Sequence, residues 1–421
     1  MNVIDNHFPV ELTVRPGKNV ISAETAIATG DSFNRIILEY ELSAPAEIAF
    51  VFGDGSSDSF FLEASDTVRR VRFLTEGFLE YETKKDISQI ELRTLKHRDP
   101  ASAVTIRIDG IGFESVEHPA SGGHTVFLEN SRFKAGALLA WGGGLSYFED
   151  KKCPFLEYGN LLNNADTGRL VQQSYYGKGD EDYKNGFYNH SVWCYNPVQG
   201  GNLVNQRSRL LDFDVSGKEI YVKCRPRDWA RPDIYSLSHM ENRYVLNEDG
   251  ISVWNRFIDF SGYPLGKAHQ ELPAFYTVSA LGNYVYYSGS APWTGGELTY
   301  QRDLPFWGDQ IYHPECHTAV SASDSEFWGA WADDSDYGIG LFVPDTQLFK
   351  KGRFMYNGSP DPADAATNYI APLCSLALRS GEALEYNYYI SAGFVNDIRA
   401  VFSAKKDVIS NFASFDKFAC L

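Results

Sequence analysis

Short runs of alternating apolar and polar residues fill the first 117 positions of the chain. They include "VELTV", "RIILEYEL", "EIAFVFG", "SFFLEA", "VRRVRFL", "QIELRTL" and "VTIRIDGIGFESV". Successive side chains of a strand point to opposite faces, so each run predicts a half-buried strand. Pro16-Gly17, "GDGSSD" and "RDPAS" lie between the runs and read as turns. Short strands at regular spacing, with no helical period among them, predict a β-sandwich over residues 1–117. "EHPASGGH", residues 117–124, reads as a linker.

The rest of the chain, 118–421, is also patterned as strands. "YVLNEDGISVWNRFIDF" predicts a hairpin around Asp249-Gly250, and "EFWGAWADDSDYGIGLFVP" another turning at "DDSD". "YVYYSG" and "EALEYNYYISAG" read as aromatic strands. Helical spacing shows in "GFVNDIRAVFSAKKDVISNF", where Val395, Ile398 and Val401 share one side. So many strands with long irregular connections predict a large antiparallel assembly. The fold class expected is all-β, a jelly-roll-like sandwich followed by a β-supersandwich. Composition agrees with a break near 118, since all eight tryptophans follow residue 140 and all six cysteines follow residue 150.

Two resemblances sharpen this picture. "VTIRIDGIGFESV" resembles the last strand of jelly-roll carbohydrate-binding modules. The second part resembles the galactose-mutarotase-like supersandwich enzymes. Its "NLLNNADTGRLVQQSYYG" is similar to the loops with which such sugar enzymes, and their lyase and hydrolase relatives, grip substrate. The resemblance implies carbohydrate chemistry in residues 118–421 and carries no residue role with it. The first part has no tryptophan and few tyrosines, among them Tyr40 and Tyr81, so an accessory sandwich fits it better than an active lectin.

Charge and composition narrow the classes. A net charge of −17 argues against a nucleic-acid binder and, more weakly, against a polyanionic glycan. No apolar run reaches the ~18–20 residues of a membrane helix. The first residues, "MNVIDNHFPVELTV", show no signal peptide, which points to the cytoplasm as the sequence stands, or to the periplasm or exterior if a leader has been removed. The cysteines form no CxxC pair and read as reduced, buried thiols. No cofactor is called for, and a homo-oligomer is compatible with everything above.

Candidate chemistry lies in four stretches. "NNADTGRLVQQSYYG" packs Asp166, Arg169, Gln172, Gln173, Tyr175 and Tyr176 together. A buried strand would have to find a partner for each of these polar groups, so a sugar-binding loop is the expectation, with a solvated loop as the plain alternative. "YNHSVWCYNPVQGGN" supplies His190, Trp193, Asn196 and Gln199, as binding residues or as simple turn chemistry. "RPRDWARPD" reads as a structural ion-paired loop. Trp293 in "APWTGG" and Trp307 in "DLPFWGDQ" are candidate stacking platforms, whereas Trp328 and Trp331 read as packing.

The fourth stretch pairs "HQELP", with His269 and Glu271, and "HPECH", with His313, Glu315 and His317. A metal site in the latter is disfavoured. Residues 313 and 317 of a strand are roughly 13 Å apart, too far to share one ion. Glycoside cleavage uses two carboxyls, one as acid and one as nucleophile or base. Glu271 and Glu315 are the expected pair, Asp166 the reserve, His269 an assisting catalytic residue and His317 a substrate-binding one. The expected function is a glycoside hydrolase acting on a mainly neutral oligo- or polysaccharide. The alternatives are a polysaccharide lyase using Arg169, His190 and Tyr176, a non-catalytic sugar binder, and a mutarotase or epimerase with a His acid and a Glu base.

Overall fold

A computed structural model describes residues 2–3, 8–96, 98–119, 124–155, 158–177, 195–231, 233–302, 304, 317–319, 326–346 and 348–408. Strands dominate, as the alternation predicts, and they gather in five antiparallel sheets among the described residues.

Two sheets come from the first 114 residues. In one, Asn2–Val3 and Val10–Val14 line one edge of Val104–Glu114, which pairs on its other edge with Arg35–Leu42, followed by Ser65–Leu74. The other runs Val20–Ile27, Ile87–Thr94, Ala46–Phe52, Ser57–Leu62. Leu38 and Ile106 from the first meet Ile48, Phe50 and Leu92 from the second in one apolar cluster. This is the alternation at work: every second residue of "RIILEYEL" is turned inward.

Three sheets follow. Thr125–Glu129, Phe133–Leu138 and Gly144–Asp150 form a meander. Seven strands make a second sheet, whose central members are Gln172–Ser174, Lys267–Val278, Thr367–Ala377 and Leu348–Phe354 in that order. Nine make the third, with Ser238–Asn247, Gly250–Asp259, Ala383–Phe394 and Tyr337–Phe342 in the middle. Phe275 and Ile370 of the seven-stranded sheet pack against the same core as Val253, Tyr388 and Ile390 of the nine-stranded one. Residues of opposite parity face outward. On the nine-stranded sheet these are Val285, Trp328 and Phe342, covered by Ile398 and Phe402 of the helix Val395–Lys405. Thus the expected helix is present, seated through Val395, Ile398 and Phe402 with Val401 only half-buried. On the outer side of the seven-stranded sheet, Tyr276, Tyr369, Ala371 and Leu373 form a small cluster of their own.

Both expected hairpins occur. One turns at Glu248 and Asp249, a residue earlier than expected, because Asn247 pairs with Gly250. A Cβ at Gly250 would come within 2.2 Å of the Ile390 carbonyl oxygen, and φ there is 149°, so the neighbouring strand demands glycine. The other turns at residues 333–336, between Trp328–Ala332 and Tyr337–Phe342.

The sandwich of the first 114 residues docks through charge. Arg209 reaches Asp58 at 2.5 Å, Arg35 reaches Asp212 at 3.0 Å and Arg256 reaches Glu63 at 2.6 Å. Phe61 stacks on Phe260 beside them, with ring centroids 5.1 Å apart. No helix among the described residues is long and apolar enough to cross a membrane.

Candidate functional site

Glu271 lies in the strand Lys267–Val278 and is buried. It pairs with Leu373, and so shares the outer face of the seven-stranded sheet with Tyr369. The register slips just beyond it. Glu271 opposes Leu373 but Phe275 opposes Ile370, so three residues of one strand face two of the other. Such a bulge twists the strand locally and re-aims its side chains. Pro273 sits inside the bulge, where its missing N–H costs no ladder bond.

Three tyrosines surround this carboxylate. The Tyr369 hydroxyl donates a hydrogen bond to Glu271 Oε1. Tyr176 also hydrogen-bonds Glu271 through its side chain, and Ser174 as well. Its main chain is clamped by the Gln270 amide, which accepts from Tyr176 N at 2.7 Å and donates to Tyr176 O at 2.9 Å. The Tyr276 ring lies 4.8 Å from that of Tyr369. Burial, and then the negative charge of Glu271, push the pKa of all three hydroxyls well above 10. They stay protonated at neutral pH, and two of them, Tyr369 and Tyr176, are hydrogen-bonded to the carboxylate and orient it.

Positive charge flanks the cluster on both sides. Lys350, buried in the next strand but one, holds its Nζ 5.6 Å from the centre of the Tyr369 ring. At the other end Arg169 pairs with Asp166 at 3.2 Å and lies over the Phe354 ring at 5.3 Å. The guanidinium also donates to the Ala365 carbonyl. Asp166 and Arg169 both act electrostatically on Tyr276, which links them to Glu271. Asp166 is half-buried and also accepts from Gly168 N at 2.9 Å.

His269 stands two positions before Glu271 in the same strand, hence on the same face, and is exposed. His317 belongs to the strand His317–Ala319, where it pairs with Lys350. Glu315, His190, Trp193 and Trp307 lie outside the described residues.

Five predicted binding residues go elsewhere. Gln172, Gln173, Tyr175, Asn196 and Gln199 are all fully buried, and their polar atoms are engaged by the protein itself. Gln172 donates to Thr167 O at 3.1 Å and accepts from Gly200 N at 2.7 Å. Gln173 donates to Glu241 O and Asn242 Oδ1, and accepts from the Tyr175 hydroxyl at 2.7 Å. Gln199 donates to Asn242 Oδ1 and to Gly142 O. Asn196 donates to Tyr175 O at 2.8 Å. The premise that a buried strand would refuse these side chains fails because the tertiary structure supplies a partner for each. Trp293 is likewise remote. It packs edge-on against Phe342, near the helix Val395–Lys405, and its main-chain N–H donates to Glu326 Oε1 at 2.7 Å. Trp328 and Trp331 are buried, as expected.

"RPRDWARPD" also behaves as a structural loop. Asp228 is buried, accepts from Asn196 N at 2.8 Å and Ala230 N at 3.1 Å, and has its pKa pushed up to about 7, chiefly by burial.

Sequence reasoning missed Tyr369, Tyr276, Lys350 and Gln270. Tyr276 and Gln270 flank Glu271 closely in the chain and could have been read with it. Tyr369 and Lys350 carried no local signal, since register alone brings them to the site. Among the described residues, no three His, Cys, Asp or Glu side chains gather as a metal site would require.

No protein-family profile and no curated protein matches the sequence. Solved structures with similarity include a galactose mutarotase-like protein from Lactobacillus casei, at TM-score 0.37 and 14% identity, covering 64% of this chain and 99% of that one. An α-galactosidase from Lactobacillus brevis gives TM-score 0.39 and 9% identity, over 69% of this chain and 42% of that one. The 4-α-glucanotransferase from Thermococcus litoralis gives TM-score 0.37 and 12% identity, over 65% of this chain and 40% of that one.

Proposed function

We propose that the chain is a carbohydrate-active enzyme, a glycoside hydrolase for a mainly neutral glycan, with Glu271 as nucleophile or base. The observation that carries this reading is a buried carboxylate held by two tyrosine hydroxyls on an outer sheet face. A carboxylate that only accepts hydrogen bonds is oriented for attack or for proton removal, not for proton donation. Glycoside cleavage then needs a second, protonated carboxyl. Asp166 and Glu315 are the two candidates for it. Arg169, only partly buried beside Asp166, binds sugar hydroxyls on this reading. On this reading residues 118–421 form the catalytic domain and residues 1–117 an accessory sandwich.

A second reading is favoured by one observation. His269 is exposed on the same strand face as Glu271, as a His acid and a Glu base of a mutarotase or epimerase would be. One experiment separates the readings. A glycan panel is assayed together for new reducing ends and for ultraviolet absorbance, and free aldoses are followed by NMR for anomer exchange. New reducing ends without absorbance, lost in Glu271→Gln, support the hydrolase. Absorbing products turn the assignment to a lyase, and accelerated anomer exchange alone turns it to the mutarotase.

A further inference from the structure

A pocket is lined by residues from both large sheets and from the loops that connect their strands. Its volume is about 320 Å³, and its lining includes Tyr356, Arg353, Asn283, Arg302, Asp333 and Asp334. That is large enough for one sugar ring and too small for an extended ligand. We propose that this pocket binds a single neutral monosaccharide unit, independently of Glu271.

The floor of the pocket is rigid. Arg353 is buried, and its guanidinium donates to Asn368 Oδ1 at 3.0 Å, Gly282 O at 3.0 Å and Ser279 O at 2.9 Å. Tyr356 lies over that guanidinium, 3.3 Å from it to the ring centre, and is 56% exposed. One ring face is thus fixed on a cation while the other remains accessible. The backbone makes this possible by an uncommon step, since Met355 takes φ 51° directly after the strand Leu348–Phe354. Non-glycine residues in that region cluster at ligand sites. Gly282 keeps the space open, because a Cβ there would meet Arg353 at 3.3 Å and the Tyr356 hydroxyl at 3.7 Å.

The walls carry fixed acceptors and donors. Asp333 accepts from Ser335 N, Tyr337 N and the Tyr158 hydroxyl. Asp334 accepts from Asn283 Nδ2 at 3.1 Å and from Arg302 at 2.7 Å. Two arginines and two aspartates in one lining balance, so a charged ligand gains nothing overall. A hydroxyl-rich ring fits better. Its apolar C–H face can lie on the open face of Tyr356, and adjacent hydroxyls can bridge a carboxylate and a guanidinium.

The test uses the full chain and free glucose, galactose, mannose, xylose and N-acetylglucosamine as probes, followed by saturation-transfer NMR and titration. At least one probe is expected to bind. Its affinity should fall 10-fold or more in Tyr356→Ala and in Asp334→Ala, hold in Tyr356→Phe, and be unchanged in Glu271→Gln. Tyr356 and Asp334 are exposed, and circular dichroism of each variant verifies the fold. Absence of binding by all five sugars overturns the proposal. So does binding that survives Tyr356→Ala. Because Glu271→Gln is expected to retain sugar binding at its own site, binding that survives Tyr356→Ala overturns this pocket whatever happens in Glu271→Gln, and leaves the Glu271 reading to its own activity assay.

Discussion

Two tyrosine-rich polar clusters lie on opposite faces of the strand Gln172–Ser174, and they behave differently. Inside, between the large sheets, Gln173 and Gln199 both donate to Asn242 Oδ1, Asn242 donates to Asn255 Oδ1 at 2.6 Å, and Asn255 donates to the Tyr386 hydroxyl at 2.7 Å. Outside, Tyr369 and Tyr176 converge on Glu271. Both clusters are buried and both are rich in hydrogen bonds. The inner one consists of amides and hydroxyls that titrate far from neutrality, and each bond joins two protein groups. The outer one holds a carboxylate, flanked by cations and with an exposed histidine two residues away. The first can only hold the sheets in register. The second can move a proton or attack a carbon. Polar density alone does not separate the two clusters; what separates them is that the outer one holds a carboxyl group and the inner one does not.

The sharpest way to break this contrast is Glu271→Gln. Activity on the true substrate should fall ~100- to 10,000-fold, while urea unfolding stays near wild type and sugar binding persists. Wild-type turnover would move the chemistry to Asp166 and whatever else surrounds it.

Asn242→Leu should do the opposite. It leaves one N–H of each of the Gln173 and Gln199 amides and an acceptor on Asn255 without a partner, at about 1 kcal/mol or more each, so stability should drop by about 3 kcal/mol. Turnover per folded molecule should be retained, and a kinetic defect without destabilisation would erase the distinction between the clusters.

Tyr369→Phe removes one hydrogen bond to a charged acceptor, typically worth about 1.5–3 kcal/mol, so a 10- to 100-fold loss in kcat is expected with little change in KM. A loss in KM alone would make Tyr369 a binding residue.

Asp228, tied to the inner cluster through Asn196, tests the closed side by pH. Its folded pKa of about 7 lies above the ordinary 3.8. Its protonated form therefore favours the folded state, fully below pH 4, and this contribution is lost as pH rises toward 7. In urea melts at pH 4, 5 and 6, wild type should lose on the order of 2 kcal/mol relative to Asp228→Asn across that range. Parallel profiles for the two proteins would show that Asp228 does not titrate there.

The smallest effect is assigned to His269→Ala. An exposed residue that assists Glu271 should cost less than ~10-fold in a hydrolase. A loss as large as that of Glu271→Gln would make the histidine the acid and favour the mutarotase reading.

Much of this architecture was legible before folding was considered. Alternation marked most of the strands of the first 114 residues, and the spacing of Val395 and Ile398 marked the helix. The hairpin turn missed by one residue because pairing, not the Asp-Gly dipeptide, set the register. At the site, "HQELP" identified Glu271 and its neighbour correctly as sharing a face. The burial of Gln172, Gln173, Tyr175, Asn196 and Gln199, read from sequence as a binding loop, was not legible for one reason. Local sequence reports how many polar groups a segment carries, but not whether distant segments bring partners for them.

By itself, then, the sequence determined where side chains alternate between two faces, and so the all-β class, most strand positions, the helix Val395–Lys405 and the candidacy of Glu271. These depend on periods of two or 3.6 residues, which are local properties. Only the tertiary structure decided which polar groups close on one another and which gather at an outer face. Tyr369 meets Glu271 from 98 positions away, and Tyr356 finds its platform on Arg353 because three distant oxygens hold that guanidinium still. Such meetings are set by strand order and register, which no short stretch of chain encodes.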